Sequence, residues 1–437
     1  MKDYDKSLLY KLRVVLAYKD VLRNHFPPVS QLYFKKFRQS QLEAARKLKG
    51  KDIIDVAFLL PIPGMWKTDE LFKAMVQNPH YHPFIVILPY SVYKGFDRNE
   101  IQATIERTKK FVEDKGYEYI IPYDNNRKQW IDIKKVCNAD IVFFSSPYKD
   151  SYPKYYAYNF KDTFTCYVSY GYTSLNIYKV NFDMVFHNLV GMYFLESELH
   201  KEMSIKYSRN NGVNTVTTGY PATEIFLRDD YQPKDLWKPQ DTVKKRVIYA
   251  PHHSVDKANF PSVFLETCDD MLRLAEKFSD KIQFVFKPHQ LLKFKLQQIW
   301  GVEKTEEYYR RWDSMANTQL VSDGYVDLFL TSDAMIHDCG SFTTEYLFTH
   351  KPVMYLCRKN YNMEEKFNEF GVQSFRCHYQ GQTAEDIERF LQDVVIDGND
   401  PMKEQRERFF DSYLKPKNGV LPSQKIIEII EQTIEQA

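Results

Sequence analysis

Three short segments place chemistry-bearing side chains directly after apolar runs, where an α/β sheet presents its ligands. The first is AMIHDCGSFTTEYL, residues 334–347. Asp338 closes an apolar run, Gly340 lets another backbone or ligand come close, and the amides of Ser341, Phe342 and Thr343 open a helical stretch. Amides at a helix mouth, with the positive end of the helix dipole, suit an anion such as a diphosphate. Glu345, one turn further in, has the reach for ribose hydroxyls. The same letters also spell an ordinary N-cap with Glu345 near the capping-box position, and both readings stand on sequence alone. The second segment, Lys287-Pro288-His289, ends the run IQFVFKP with a cation and an imidazole suited to a departing phosphate. The third, Pro251-His252-His253-Ser254, follows RVIYA. Its imidazoles fit phosphate or base contacts better than a metal ion, because adjacent side chains diverge and no carboxylate is placed nearby.

The first half of the chain offers less. Trp66-Lys67 lies beyond IIDVAFLLP and is placed to line an acceptor site, and Ser169-Tyr170-Gly171-Tyr172-Thr173 follows FTCYV. Asp69, Glu70, His187 and Glu196 are the proton acceptors within reach of such strand ends. The triplet Asp3-Tyr4-Asp5 has metal-binding spacing but lies far from any expected strand end, so no metal and no cofactor is expected.

These segments need a scaffold, and the apolar pattern supplies one. Runs at 53–61, 84–90, 117–123, 139–147 and 164–171 alternate with helical stretches at about 67–77 and 98–115, and 183–195 adds a sixth apolar run before a helix at about 197–209. The alternation restarts with runs at 246–251, 281–288, 334–338 and 351–357, and the tail 384–436 reads as helical. Strands separated by helices imply parallel sheets covered on both faces. The expected architecture is α/β: a basic helical segment (1–50), a Rossmann-like domain (51–225), a polar linker (226–245), a second Rossmann-like domain (246–400) and C-terminal helices (401–437). Ligands are expected in a cleft faced by the strands' carboxyl ends.

Composition narrows the function classes. The chain has 437 residues and a formal net charge of +2, with 15 glycines, no two of them two positions apart, so the dinucleotide fingerprint is excluded. No apolar run is long enough to span a bilayer. The six cysteines form no C-x-x-C pair, which fits reduced thiols in a cytoplasmic protein. Residues 1–50 hold twelve Lys/Arg against four Asp/Glu. Leu8, Leu9, Leu12, Val15 and Leu16 recur there at helical spacing. Two readings remain: helices docked on the main body with basic faces in solvent, or a peripheral contact with an anionic membrane surface. Nucleic acid is not expected, because no basic stripe continues beyond this segment.

The pattern Asp338-x-Gly340-Ser341-x-x-x-Glu345, followed by Lys351-Pro352, resembles the donor-nucleotide motif of two-lobed GT-B enzymes. It is similar to the corresponding segment of the CDP-glycerol glycerophosphotransferases of teichoic-acid synthesis, and to that of the UDP-N-acetylglucosamine 2-epimerases. The resemblance implies diphosphate at Gly340, Ser341, Phe342 and Thr343, ribose at Glu345, and an essential histidine at His289. It also implies donor contacts from His252 and from the turn Gly219-Tyr220-Pro221, although Ala222 stands where the family has arginine. The family's acceptor-side base is a histidine in a turn matched here by Tyr170-Gly171-Tyr172-Thr173, so the resemblance maps that role to Tyr170, a poor base with a free pKa of about 10. The implied activity is transfer of glycerol phosphate, or a related polyol phosphate, from CDP-glycerol or CDP-ribitol to a lipid-linked glycan or surface polymer. Sugar transfer from a nucleotide sugar, and a non-catalytic nucleotide-binding scaffold, are the alternatives.

Overall fold

Apolar runs that alternate with amphipathic stretches have one common outcome, parallel strands buried on both faces by the intervening helices. The computed structural model describes residues 27–90, 98–255, 262–322, 325–359 and 361–437. The chain forms two units. Unit 1 comprises the chain up to Thr173, Ile177–Glu224 and Pro416–Ala437; unit 2 comprises Ser174–Asn176 and Ile225–Lys415.

In unit 1, α1 (Pro27–Arg46) precedes β1 (Ile54–Leu60), β2 (Tyr81–Ile87), β3 (Tyr119–Ile120), β4 (Ile141–Phe144), β5 (Phe164–Val168), β6 (Met192–Leu195) and β7 (Thr215–Thr217). The sheet runs β3-β2-β1-β4-β5-β6-β7. β1 pairs in parallel with β2 from Ile54↔Tyr81 to Leu60↔Ile87, and with β4 from Val56↔Ile141 to Leu59↔Phe144. Strand order therefore reverses between β1 and β4, the switch point at which open α/β sheets leave a crevice beyond their carboxyl ends.

The apolar run 183–195, expected as one strand, divides. Val185–Leu189 is a single helical turn and only Met192–Leu195 joins the sheet. Gly191 sits at the break because nothing larger fits: a Cβ there would meet Gln41 Oε1 at 2.6 Å and the Thr165 carbonyl at 2.8 Å. Gln41 anchors α1 to this edge. Its Nε2 donates to the carbonyls of Phe160 (2.9 Å) and Thr163 (3.0 Å), and its Oε1 accepts from Thr165 N (2.9 Å) and Oγ1 (2.6 Å). With Phe34, Phe37, Ala44, Ala45 and Leu48 also buried, α1 is a docked element of unit 1 that leaves Lys35, Lys36 and Lys47 in solvent. The first basic helix expected, around residues 8–16, lies outside the described residues. Gln41→Ala should strip a partner from the carbonyls of Phe160 and Thr163 and from the amide and hydroxyl of Thr165, and lower unfolding free energy by about 2–3 kcal/mol. A shift in the denaturant midpoint at unchanged slope checks this.

Unit 2 contains β8 (Lys245–Ala250), β9 (Ile282–Phe286), β10 (Thr318–Leu320), β11 (Ala334–His337), β12 (Val353–Leu356) and β13 (Tyr379–Gly381), in the order β10-β9-β8-β11-β12-β13. Its switch point falls between β8 and β11, where Ala250 pairs with His337. Trp312, fully buried, stacks on Phe286 at 5.1 Å and packs near Tyr249, sealing one face of this sheet.

The expected linker 226–245 is instead packed into unit 2. Trp237 is buried with its Nε1 donating to Thr331 Oγ1 at 2.9 Å, and Lys238 N donates to Gln319 Oε1 at 2.6 Å. The C-terminal helices do not stand apart either. Helix Pro422–Gln436 belongs to unit 1, buries Ile426 and Ile430, and is held at its start by Glu224, which accepts from Ser423 N (2.8 Å) and Oγ (2.7 Å). No helix among the described residues is long and apolar enough to cross a membrane.

Candidate active site

The three segments of unit 2 converge at its switch point. Asp338, at the end of β11, accepts from His252 N at 2.6 Å and Val263 N at 2.9 Å. Its carboxylate thus organises the turn after β8 and is not itself open to a ligand. Burial raises its pKa to about 6, while those two amides and Ser262 pull the other way. His289, after β9, is tied to the same turn by its N–H, which donates to the Pro251 carbonyl at 3.0 Å.

Three imidazoles result from this arrangement. Ring centroids lie 4.2 Å apart for His252–His253, 4.1 Å for His253–His289 and 5.1 Å for His252–His289. One ring nitrogen from each falls within 4.8 Å of the others, a spacing that would admit a metal ion. The tautomer of His289 argues for an anion. Its Nδ1 accepts the Leu291 N–H at 3.1 Å, so the ring proton sits on Nε2, which is a donor and has no lone pair for a cation. Burial, then His253, then Lys287 hold the His289 pKa down to about 4, so the ring is a neutral donor at physiological pH. Lys287 is itself buried, with Nζ donating to the Ser322 carbonyl at 2.8 Å, and acts on the site through its charge.

The expected diphosphate turn is smaller than its letters promised. The α-helix is one turn, Phe342–Glu345, continuing as a 3₁₀ turn Tyr346–Thr349, so little dipole accumulates. Burial raises the pKa of the Cys339 thiol, while the Ser341 hydroxyl at 3.5 Å and the amides of Phe342 and Ser341 pull it down, so these amides lie beside a weak acceptor. Thr343 is buried, its hydroxyl donating to the Cys339 carbonyl at 3.1 Å. Glu345 is only 2% exposed, beneath the turn and near Tyr325, rather than on an open face. Gly340 keeps the space expected of it: a Cβ there would meet nothing within 4 Å.

The sequence profile of the CDP-glycerol:poly(glycerophosphate) glycerophosphotransferases matches residues 193–432. The chain belongs to this family. Its fold is of the GT-B type. It is similar to the solved wall teichoic acid polymerase TagF (15% identity, 97% of this chain and 98% of that one, TM-score 0.56). The S. aureus MnaA–UDP structure is also similar (13% identity, 88% and 98% covered, TM-score 0.53), as is a UDP-N-acetylglucosamine 2-epimerase (13% identity, 88% and 96%, TM-score 0.51). No curated protein matches the chain.

Unit 1 departs from what the family resemblance implied. Tyr170 is no base. Burial, then Tyr148 and Asp150, push its phenol further up. Gly171 offers its carbonyl to Ser169 Oγ at 2.7 Å, and Tyr172 is buried edge-on against Tyr220 at 4.8 Å. Trp66 belongs to the core, packed on Phe58 and Phe72 with Nε1 donating to Asp69 Oδ1 at 2.6 Å; Lys67 beside it is half-buried. His187 is buried against Tyr193, and desolvation lowers its pKa to about 3. The other proton acceptors are engaged as well. Burial opposes the charge of Asp69, yet hydrogen bonds from Lys73 and Trp66 and the charge of Lys115 bring it to about 2. Glu70 pairs with Lys73 at 2.8 Å, and Glu196 accepts from Thr173 N and Oγ1. The turn holding Gly219 and Pro221 also lies in unit 1, where Gly219 (φ +84°) faces Pro422; a Cβ would come within 3.0 Å of that ring.

Sequence reasoning missed the polar group at the unit 1 switch point. Beyond β4, Ser146 Oγ donates to Asp150 Oδ2 at 2.6 Å and accepts from Tyr148 N at 3.2 Å. A small open hollow is lined there by Leu59, Leu88, Ser146, Tyr148, Asp150 and Tyr152. The signal was present as SSPYKD, a cluster of hydroxyls and a carboxylate placed directly after an apolar run.

Proposed function

We propose that this chain transfers glycerol phosphate from CDP-glycerol to a hydroxyl of a poly(glycerol phosphate) chain. The observation that carries the reading is the meeting of His252, His253 and His289 at the β8–β11 switch point, joined through Asp338 to the turn at Gly340. A diphosphate needs donors aimed at its oxygens and a backbone without a side chain in the way. The His289 Nε2–H and the amides of Ser341 and Phe342 supply the donors, Lys287 a nearby positive charge, and Gly340 the space. When an acceptor oxygen attacks the β-phosphorus, charge builds on the departing CMP, and these donors stabilise it without a metal ion.

The test is turnover. Purified protein with CDP-glycerol and a synthetic poly(glycerol phosphate) primer should release CMP, in EDTA as in buffer, while CDP-ribitol and UDP-sugars should be poorer donors. UDP release in place of CMP would overturn the reading in favour of sugar transfer. A second result is expected from linkage. The free His289 ring titrates near 4, and a bound diphosphate raises that value, so binding takes up protons. CDP-glycerol affinity, measured by calorimetry, should therefore strengthen as pH falls towards 4, where the free ring begins to take up the same proton.

A further inference from the structure

Two imidazoles next to the Asp338–Ser341 turn have no part in the site described so far. His337 is the last residue of β11 and His378 directly precedes β13; both are buried, at 0% and 2% exposure. Their ring centroids lie 5.3 Å apart, and the Tyr355 ring of β12 packs edge-on against each, at 5.1 and 6.3 Å. All three residues belong to unit 2.

Hydrogen bonds fix both tautomers. His337 Nδ1 accepts the Cys339 N–H at 3.1 Å, which leaves the ring proton on Nε2. His378 Nδ1 lies 3.0 Å from the Ser374 carbonyl, which can only accept, so this ring carries its proton on Nδ1 and a lone pair on Nε2. Among the described residues, neither Nε2 has a hydrogen-bond partner. The neighbouring rings thus hold one unpaired donor and one unpaired acceptor, and buried polar atoms are costly to leave so. Desolvation brings the pKa of His378 down to about 3 and holds that of His337 well below its usual value, so both rings are neutral.

We propose that His378 is a positioning residue for the transfer reaction, accepting the His337 Nε2–H at its own Nε2 and so holding His337 in the tautomer that anchors the turn carrying Asp338 and Gly340. The proposal rests on the transfer reading above. The two nitrogens are not bonded to each other directly, and a single buried water, accepting from His337 and donating to His378, completes the pair.

The tautomer matters because of what Cys339 separates. On one side is Asp338, which orders the His252 turn through the His252 amide; on the other is Gly340, whose open side admits the diphosphate. With its proton on Nδ1, His337 would set one N–H against another at Cys339, and the turn would lose its tie to β11. The same elements brace the rest of the turn. Tyr355 Oη donates to the Asp338 carbonyl at 3.1 Å, and Ser374 Oγ donates to the Thr343 carbonyl at 2.7 Å. His378 acts on the diphosphate site only through His337.

Two substitutions separate the two nitrogens of His378. Glutamine places an acceptor oxygen near the Nε2 position and gives up the bond to Ser374, whereas asparagine keeps a donor near Nδ1 and gives up the acceptor. With CDP-glycerol and the poly(glycerol phosphate) primer, His378→Asn should lower kcat about tenfold or more, since remote misplacement by about 1 Å can cost more than that. His378→Gln should recover most of the loss. In full-length protein labelled with nitrogen-15 histidine, the wild-type ring spectrum should show His337 protonated at Nε2 and His378 at Nδ1. Each ring is assigned by the signal lost in His337→Gln or His378→Gln. In His378→Asn the His337 ring should move towards a mixture of tautomers. An active asparagine variant beside an inactive glutamine variant would reduce the role to the Ser374 bond and overturn the proposal. A wild-type spectrum with the His337 proton on Nδ1 overturns it too, whatever the turnover. Wild-type protein with the expected ring spectrum that releases no CMP overturns the transfer reading instead.

Discussion

His289→Ala should lower kcat for CMP release about a thousandfold while leaving the melting temperature within a few degrees. The ring is half-buried at the end of β9, and its backbone N–H bond to Pro251 survives truncation, so the turn keeps its course. What disappears is a donor whose direction the Leu291 amide fixes in advance. Donors already aimed at a developing charge act without reorganisation, and removing one typically costs 10²–10³ in rate, roughly 3–4 kcal/mol. CDP-glycerol binding should weaken far less, because the remaining donors still meet the ground-state diphosphate. His289→Gln, a neutral donor of similar reach, should recover a measurable part of kcat. A kcat within tenfold of wild type in His289→Ala would remove the imidazole from the transfer step.

The architecture was legible because parallel strands buried on both faces are continuous apolar runs, and runs such as IDVAFLL and IQFVF leave few alternatives. The donor-side segments were legible for the same reason: each directly follows such a run, so chain order alone brings it to a carboxyl edge. What the sequence did not reveal is which side of that edge a side chain takes. Trp66 and His187 have types and positions fit for a site, yet both turn inward, and nothing local separates an inward ring from an outward one. The length of the helix after Ser341 was equally hidden, because its second turn tightens to 3₁₀ before the left-handed His350 (φ +60°). Asp150 was missed because its neighbours arrive from β1 and β2, more than fifty residues upstream, and only the strand order β2-β1-β4 assembles them. Cys339, whose sulfur lies 3.5 Å from the Ser341 hydroxyl, reads in sequence as one more buried thiol.

Gly340→Val should separate folding from binding. A Cβ at this position meets no protein atom within 4 Å, and the backbone here is not in the left-handed region, so a valine side chain starts in open space and the melting temperature should hold. Two glycines elsewhere show the contrast: Gly191 has Gln41 Oε1 2.6 Å from its would-be Cβ, and Gly371 has the Ser174 carbonyl at 2.2 Å, so substitution there must break packing. The space at Gly340 has a different use if the turn holds a diphosphate. Two methyl groups would occupy the volume through which phosphate oxygens approach the amides of Ser341 and Phe342, costing the complex about 2 kcal/mol or more, roughly thirtyfold in affinity for CDP-glycerol. The thermal shift given by saturating CDP-glycerol should shrink accordingly, while Gly340→Ala, with one methyl group, should lie between valine and wild type. A valine variant that is stable and binds CDP-glycerol as wild type does would place the diphosphate elsewhere in unit 2.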